Sequence, residues 1–297
     1  MSKLLDMLGC RYPIIQGPIG AMNNPRLVAA ICEAGAFGML AMGFSNPEEA
    51  KSLIDNVKGL TNKPFGANLM LMNPANQDIL DILADAGVKI VTTSAGSPKR
   101  IYPHIHALGM KGFHNVLSLP YSIKAADAGV NGLGVSGLEA GGLRSNNPEC
   151  TTMILVPLVV DHVDIPVIAA GGIADSRGYR AALALGAQGV QIGTRFLASD
   201  ESPAPKEWKE AIISCNDGST TLLPLGNMRM RVIINPKLKE KMDNPDADLT
   251  QEYNMMNAPQ AWNSGDFDLF PAGSGQVGAL IKEIKPVKEI IEEMVSS

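Results

Sequence analysis

The sequence predicts an α/β fold, a (β/α)8 TIM barrel with an inserted, mostly helical lid subdomain. Three observations predict it. A short junction recurs, an Ala-Gly or Leu-Gly pair followed after two or three residues by an apolar run. It is found at "EAGAFGMLA" (33–41), "DAGVKIVTT" (85–93), "ALGMKGFHNVL" (107–117), "DAGVNGLGV" (127–135) and "ALGAQGVQIG" (184–193). Runs without that junction bring the total to eight strand-length segments at even spacing, separated by helical patterns. The texture then changes after Ser199, where Pro, Asn, Asp and Met follow in irregular order up to residue 270.

The junction has a plain physical reading. A helix ends, glycine takes the left-handed C′ position, and a strand begins within a few residues. The expected strands lie near residues 13–16, 37–41, 65–69, 89–93, 112–117, 132–135, 167–170 and 189–192. Helical spacing fills the gaps at "NPRLVAAICEA", "NPEEAKSLIDNV", "NQDILDILADA" and "DSRGYRAALAL". The first two open with Asn-Pro, an N-cap followed by proline at the first helical position. Strands alternating with helices indicate a parallel sheet, and the count of eight favours a closed barrel over an open doubly wound sheet. The barrel is expected to take residues 1–200 plus 271–297, and the lid residues 201–270. The last segment, "GQVGALIKEIKPVKEIIEEMVSS", is amphipathic, and Pro286 is expected to kink or divide it.

Composition narrows the function. Hydrophobic residues make up 45% of the 297, but aromatics only 5%, which suits buried parallel strands with small helix–strand contacts. The net charge is −5 with no basic stripe. That argues against nucleic-acid binding and against an anionic membrane surface. The longest apolar stretch, 153–160, is too short to span a bilayer, and the first residues lack a signal-peptide profile. Four scattered cysteines without a CxxC pair read as reduced thiols of a cytoplasmic protein. The oligomeric state stays open, a homodimer included.

In such a barrel the site forms at the C-terminal ends of the strands. The strongest local signal is the pair "AAGGIADSRG" (169–178) and "QIGTRF" (191–196). Gly171, Gly172, Gly193 and Thr194 there let backbone N–H groups approach an anion beside helix N-termini, the usual phosphate position of this fold. The other loops supply Gln16, Asn68, Thr93 and Ser94, amide and hydroxyl groups suited to a flat heteroaromatic ring. Phosphate plus polar-edged ring describes flavin mononucleotide, FMN. A flavin-free phosphosugar-type isomerase or lyase remains the competing class. No metal site is expected: His104 and His106 are two apart on an expected helix, His114 lies within a strand and His162 ends a helix. No GxSxG, no Walker A and no dinucleotide GxGxxG with its acidic partner is found.

The segments "YPIIQGPIGAMNNPRLVAAICEAGAFGMLA", "PFGANLML", "GLEAGG", "IPVIAAGGIADSRGYRAALALGAQGVQIGTRFLAS" and "AGSGQVGALIKEIKPVKEIIEEM" resemble the nitronate monooxygenase (2-nitropropane dioxygenase) family, which also contains enoyl-ACP reductase II. The resemblance covers nearly the whole chain. It implies a flavin-bearing barrel in which Gln16, Gly17, Pro18 and Asn68 face the isoalloxazine ring. Gly171, Gly172, Gly193 and Thr194 would hold the FMN phosphate, with Lys124, Gly142 and Gln276 near the flavin. It also implies a small-molecule substrate: a nitronate is oxidised, or NAD(P)H serves as reductant for an acceptor such as oxygen, an enone or a quinone. One departure stands out. The family's loop reads Gly-Gly-His, with the histidine as acid or base, whereas this chain has Leu143. A leucine moves no proton. The catalytic group is therefore unknown, with Glu139, Arg144 and His114 as weak candidates. Arg144 either binds an anionic substrate group or pairs with Glu139 or solvent. An enoyl-ACP or enoyl-CoA reductase with another proton donor, and a binding protein without turnover, are the alternatives within the family.

Overall fold

A computed structural model describes residues 3–19 and 24–296. Among the described residues there are eleven strands: β1 (Ile14–Gln16), β2 (Met39–Ala41), β3 (Gly66–Met70), β4 (Ile90–Ser94), β5 (Lys111–Val116), β6 (Gly132–Ser136), β7 (Gly142–Ser145), β8 (Val167–Ala170), β9 (Gly189–Ile192), β10 (Thr220–Leu225) and β11 (Met228–Ile233). Eight of them form one parallel sheet in the order β1-β9-β8-β6-β5-β4-β3-β2. The ends of that order meet through a bridge between Ile15 and Phe37. Gln16 N–H donates to Phe37 O and Phe37 N–H to Ile14 O, each at 2.8 Å. The sheet thus closes into a (β/α)8 barrel with helices around it, as the sequence predicts.

The junction glycines behave as their chemistry requires. Gly35, Gly87, Gly109, Gly129 and Gly186 all have positive φ, +88° at Gly35 and +93° at Gly186, where a Cβ would be strained. Of the two Asn-Pro starts, Asn46 accepts the Glu49 N–H at 2.8 Å, whereas Asn24 makes no side-chain cap bond. Pro286 divides the C-terminal segment, closing a turn region after Gln276–Leu280 and opening the helix Val287–Val295.

Strand alternation sorts the barrel's side chains. Ile15, Phe37, Met39, Ile90, Phe113 and Ile168 fill the lower interior, together with Leu4 and Leu8 of the first helix, which closes the strand-start end. The opposite parity, including Leu69, Val91, Val116, Leu133, Val135 and Val190, packs under the helices in the main core. No helix among the described residues is long and apolar enough to cross a membrane.

The segment after Ser199 is mostly helical, with helices Lys206–Ile213, Pro236–Asp243, Leu249–Glu252 and Ala258–Ser264. It also holds something the sequence reading did not anticipate. β10 and β11 form an antiparallel hairpin around Gly226, and β11 pairs on its other edge with β7. β7 belongs to the loop after the sixth barrel strand, so the three-stranded sheet joins lid and barrel. A second core lies on one face of this sheet, with Leu223, Met230, Trp208, Trp262 and Phe270 buried in it. The two indoles lie 5.2 Å apart and donate to the Gly273 and Pro271 carbonyls, where the chain returns to the barrel.

Candidate active site

The strand ends bring several glycine-rich loops together. After β1, Gly17 is buried, and its N–H donates to Ile192 O at 2.7 Å. A Cβ on Gly17 would stand 3.3 Å from the Gly193 Cα, so the first and last loops touch through backbone. After β9, Thr194 Oγ1 accepts the Gly275 N–H at 3.0 Å, and Gln276 N–H donates to Glu139 O at 2.9 Å. After β8, a Cβ on Gly171 would meet Ala140 at 2.8 Å and one on Gly172 would meet Glu139 at 3.2 Å. The structure therefore assembles Gln16, Gly17, Pro18, Gly171, Gly172, Gly193, Thr194 and Gln276 with residues 137–142 at one end of the barrel. Asn68 joins them from the wall of β3.

Two features of this cluster are receptive. Among the described residues, Gly193 and Gly142 have no atom within 4 Å of where a Cβ would stand. The N–H groups of Gly172, Gly193 and Thr194 meet no acceptor among the described residues. Thr194 opens a short extra helix, Thr194–Leu197, whereas the helix after β8 has its first turn taken by its own cap, Asp175, bonded to Arg177 N and Gly178 N. The second feature is Gln16. Its Oε1 accepts the Met39 N–H at 3.1 Å, but its buried Nε2 has no partner. An unpaired buried donor costs roughly 1–3 kcal/mol, so a ligand acceptor there would recover stability.

The interior wall above the apolar layer is polar. Asn68 donates to Thr92 Oγ1 at 2.9 Å from the directly opposite position on β4. Asn115 and Gln191 point inward from β5 and β9, and neither side-chain amide has a partner among the described residues. A Cβ on Gly134 would fall 2.0 Å from Asn115 Oδ1 and 3.4 Å from Gln191 Oε1, so β6 gives up a side chain to make room for them. Thr92, Asn115 and Gln191 were not singled out in the sequence. Alternation gives the signal, since each is a polar residue on a barrel strand whose parity matches Asn68.

The same alternation corrects other candidates. Thr93 and His114 sit opposite each other on β4 and β5, on the face covered by the helix Tyr102–Ala107. Thr93 Oγ1 lies 2.8 Å from His114 Nδ1 and 3.1 Å from the Tyr102 hydroxyl. Burial pushes the His114 pKa down to about 4, so the ring is neutral and turned away from the strand ends. Lys124 is exposed on the helix Leu119–Asp127, over the Tyr121 ring at 5.7 Å, outside the loop cluster. A helix-outer position cannot reach the barrel mouth.

The loop residues have structural partners. Glu139 receives the Thr152 N–H on both oxygens, at 3.0 and 3.1 Å, and so caps the helix Thr152–Val160. Arg144 pairs with neither Glu139 nor solvent. It is buried against Glu149, with Nη2 2.8 Å and Nε 2.9 Å from Oε2, and also donates to Ser136 Oγ and O. Glu149 was missed because it lies just beyond the glycine-rich stretch. Arg231, opposite Gly142 on β11, is buried, and desolvation lowers its pKa before the nearby Arg144 charge does so further. Leu143 packs against the lid core opposite Met230. A cleft of about 480 Å³ lies at the opposite, strand-start end, beside Phe37, Lys58 and Lys89. Lys58 there serves the Ala86 carbonyl at a helix end, so this cleft is remote from the loop cluster.

The family model described as nitronate monooxygenase matches residues 1–297. A probable nitronate monooxygenase of Staphylococcus aureus is 30% identical, covering 93% of this chain and 91% of its own. Among solved structures, FabK from Thermotoga maritima aligns with a TM-score of 0.91 at 34% identity, over 99% of this chain and 95% of the other. Nitroalkane oxidase from Streptomyces ansochromogenes aligns with a TM-score of 0.85 at 27% identity, over 99% and 96%. With the barrel, the glycine loops and the full-length match agreeing, the chain belongs to the nitronate monooxygenase family and is an oxidoreductase.

Proposed function

We propose that the protein is an FMN-dependent oxidoreductase that oxidises nitronates or passes hydride from NAD(P)H to an acceptor. One observation carries the reading: the loop cluster offers unpartnered donors for a flavin, yet none of its candidate acid–base side chains is free to move a proton. Leu143 is committed to the lid core, Glu139 to a helix cap, and Arg144 to Glu149. A nitronate arrives already deprotonated, and hydride transfer needs no base. Neither asks for the missing histidine.

The residues present fit FMN. The orphaned Gln16 Nε2 suits a ring carbonyl, and the open space at Gly193 with the free N–H groups of Gly172, Gly193 and Thr194 suits a phosphate. Bound there, FMN would supply reversible hydride acceptance. Gln16 would donate to the ring edge, and Asn68, fixed by Thr92, would hold its orientation. Gln276 would lie at the rim. Leu143 and the lid would exclude water without taking part in proton transfer.

Purified protein is expected to be yellow and to release FMN on denaturation. Colourless protein that takes up no added FMN refutes the reading and favours a flavin-free barrel isomerase or lyase. Anaerobic bleaching by propionate 3-nitronate, NADH and NADPH then identifies the reductant, and bleaching by none of them indicates a binding protein without turnover. Enoyl-thioester reduction requires a proton at the substrate carbon. It would show as NAD(P)H consumption only when an enoyl-ACP or enoyl-CoA is present.

A further inference from the structure

Arg231 is a buried cation without an acid of its own. It exposes 4% of its surface and has no ion-pair partner among the described residues. Nη1 donates to Thr220 Oγ1 at 3.3 Å and Nη2 to Leu138 O at 3.0 Å, while the buried Nε has no partner. The nearby carboxylates act on it only at a distance. Glu149 is paired with Arg144, and Glu139 accepts the Thr152 N–H on both oxygens. A guanidinium stays charged at any ordinary pH and offers a fork of N–H donors. Keeping one out of water with unused donors is costly unless an anion completes it.

Its position is at the mouth of the barrel. Strand alternation turns Met230 and Val232 into the lid core and Arg231 to the other face of β11, toward the loop after β6. Gly142 stands directly opposite on β7. It is exposed, and no atom of a described residue lies within 4 Å of where its Cβ would stand. Opposed residues of paired strands share a face, so the sheet omits a side chain beside the guanidinium. The backbone around Arg231 belongs to the loop cluster. Arg231 O accepts the Ser274 N–H at 3.3 Å, and Gln276 N–H donates to Glu139 O.

We infer that Arg231 binds an anionic group of the substrate, one with two oxygens on a single planar centre, through Nε and an adjacent Nη. The inference rests on the flavin reading above and adds to it the group that holds the substrate. A guanidinium fork meets such an anion with two parallel charge-assisted bonds. Nitronate and carboxylate groups share that shape and charge. A neutral nitroalkane lacks the charge, so the contact selects the deprotonated form, in keeping with a loop that has no free base. The flavin phosphate is not the occupant, because its unpartnered N–H donors lie in the loops after β8 and β9, whereas Arg231 comes from the lid hairpin.

Propionate, a carboxylate that cannot be oxidised by a flavin here, is the probe. Calorimetric titration into the full-length protein as purified is expected to show binding. Arg231→Met is expected to weaken it at least about tenfold. Arg231→Lys keeps the charge and a donor for Leu138 O, so the fold is preserved while the fork is lost, and binding is expected to weaken there too. In both variants the KM for propionate 3-nitronate is expected to rise at least about tenfold while kcat changes less than about threefold, with flavin content unchanged by visible absorbance. Ethylnitronate, which has no carboxylate, separates the two sources: its KM also rises if Arg231 holds the nitronate group and stays constant if Arg231 holds the carboxylate. Wild-type protein that binds no propionate, or variants that bind it as tightly as the parent, overturn the inference. Variants that lose flavin and kcat at constant KM also overturn it and make Arg231 a staple between hairpin and loop. Colourless wild-type protein refutes the flavin reading alone, since calorimetry with propionate still decides the role of Arg231.

Discussion

Replacing Glu149 with alanine is predicted to be among the most damaging single changes in the loop region. The Arg144 side chain is fully buried, and its partner Glu149 exposes only 1%. Without that carboxylate, the guanidinium keeps only the Ser136 hydroxyl and carbonyl as acceptors, and its charge is left in a low-dielectric setting. Breaking a buried pair from one side costs about 3–5 kcal/mol. For a chain of this size, a loss near 4 kcal/mol lowers Tm by on the order of 10 °C. Glu149 Oε1 also accepts the Ser145 N–H at 3.1 Å, so its loss loosens the edge of β7 as well. Urea unfolding of Glu149→Ala and of Arg144→Met/Glu149→Leu, followed by circular dichroism, is the assay. The double variant removes both charges and is expected to lie within about 1–2 kcal/mol of the parent. If Glu149→Ala costs under about 1 kcal/mol, or the double variant is as unstable as the single, the buried-charge argument is wrong.

The remaining predictions concern pH, the cradle and the missing histidine. His114 titrates near 4 when folded against 6.5 ordinarily, so its neutral form is favoured in the native state. Its contribution is fully present above pH 6.5 and declines as pH falls from there to about 4, reaching roughly 3 kcal/mol; a His114→Asn variant should lose that part of the pH dependence in urea melts at pH 4 and pH 7. Gly193→Val fills space that no described residue occupies, and φ is −108° there. The apo form should therefore melt normally while FMN affinity, read by flavin fluorescence, falls at least about tenfold; unchanged affinity would move the phosphate elsewhere. Gln16→Leu removes a buried donor that lacks a partner but also the acceptor of the Met39 N–H, so the apo protein should lose about 1–3 kcal/mol of stability, and FMN binding should weaken by about 1 kcal/mol. Leu143→His should add turnover of neutral nitroalkanes at unchanged nitronate turnover, measured by oxygen uptake; no gain would mean that the pocket around residue 143 has been rebuilt for other chemistry.

Much of the barrel was legible because its determinants are local. A glycine forced to positive φ and the apolar run behind it lie within a few residues, and the chain repeats them. The glycine-rich loop after β8 is legible for the same reason, as a local turn with positive φ at Gly171 and Gly172. Side-chain direction is the less visible determinant. Thr92 and Thr93 are adjacent in the sequence, but a strand sends one into the barrel and the other under a helix, so Thr92 joins Asn68 on the interior wall while Thr93 pairs with His114 on the helix-covered face. The hairpin of β10 and β11 was hidden for a different reason. "TTLLPLGNMRMRVI" contains a proline at 224 and two arginines, and its third strand comes from residues some eighty positions earlier, a pairing that no local pattern encodes. The partner of Arg144 was likewise decided by burial rather than by proximity to Glu139.

The donation of β7 to the lid's sheet bears on how these proteins can be recombined. A relative's lid grafted in place of residues 201–270 would arrive with a β11 edge lacking its own third strand. It would have to match the Met228-to-Ser145 and Arg231-to-Gly142 register of a foreign loop. The smallest exchangeable unit is therefore discontinuous: the insert together with residues 142–149, which carry β7 and the carboxylate that anchors it. A chimera built on that boundary moves the whole three-stranded sheet and Leu143 in one piece, whereas one cut only at the insert's ends leaves an open sheet edge beside the barrel mouth.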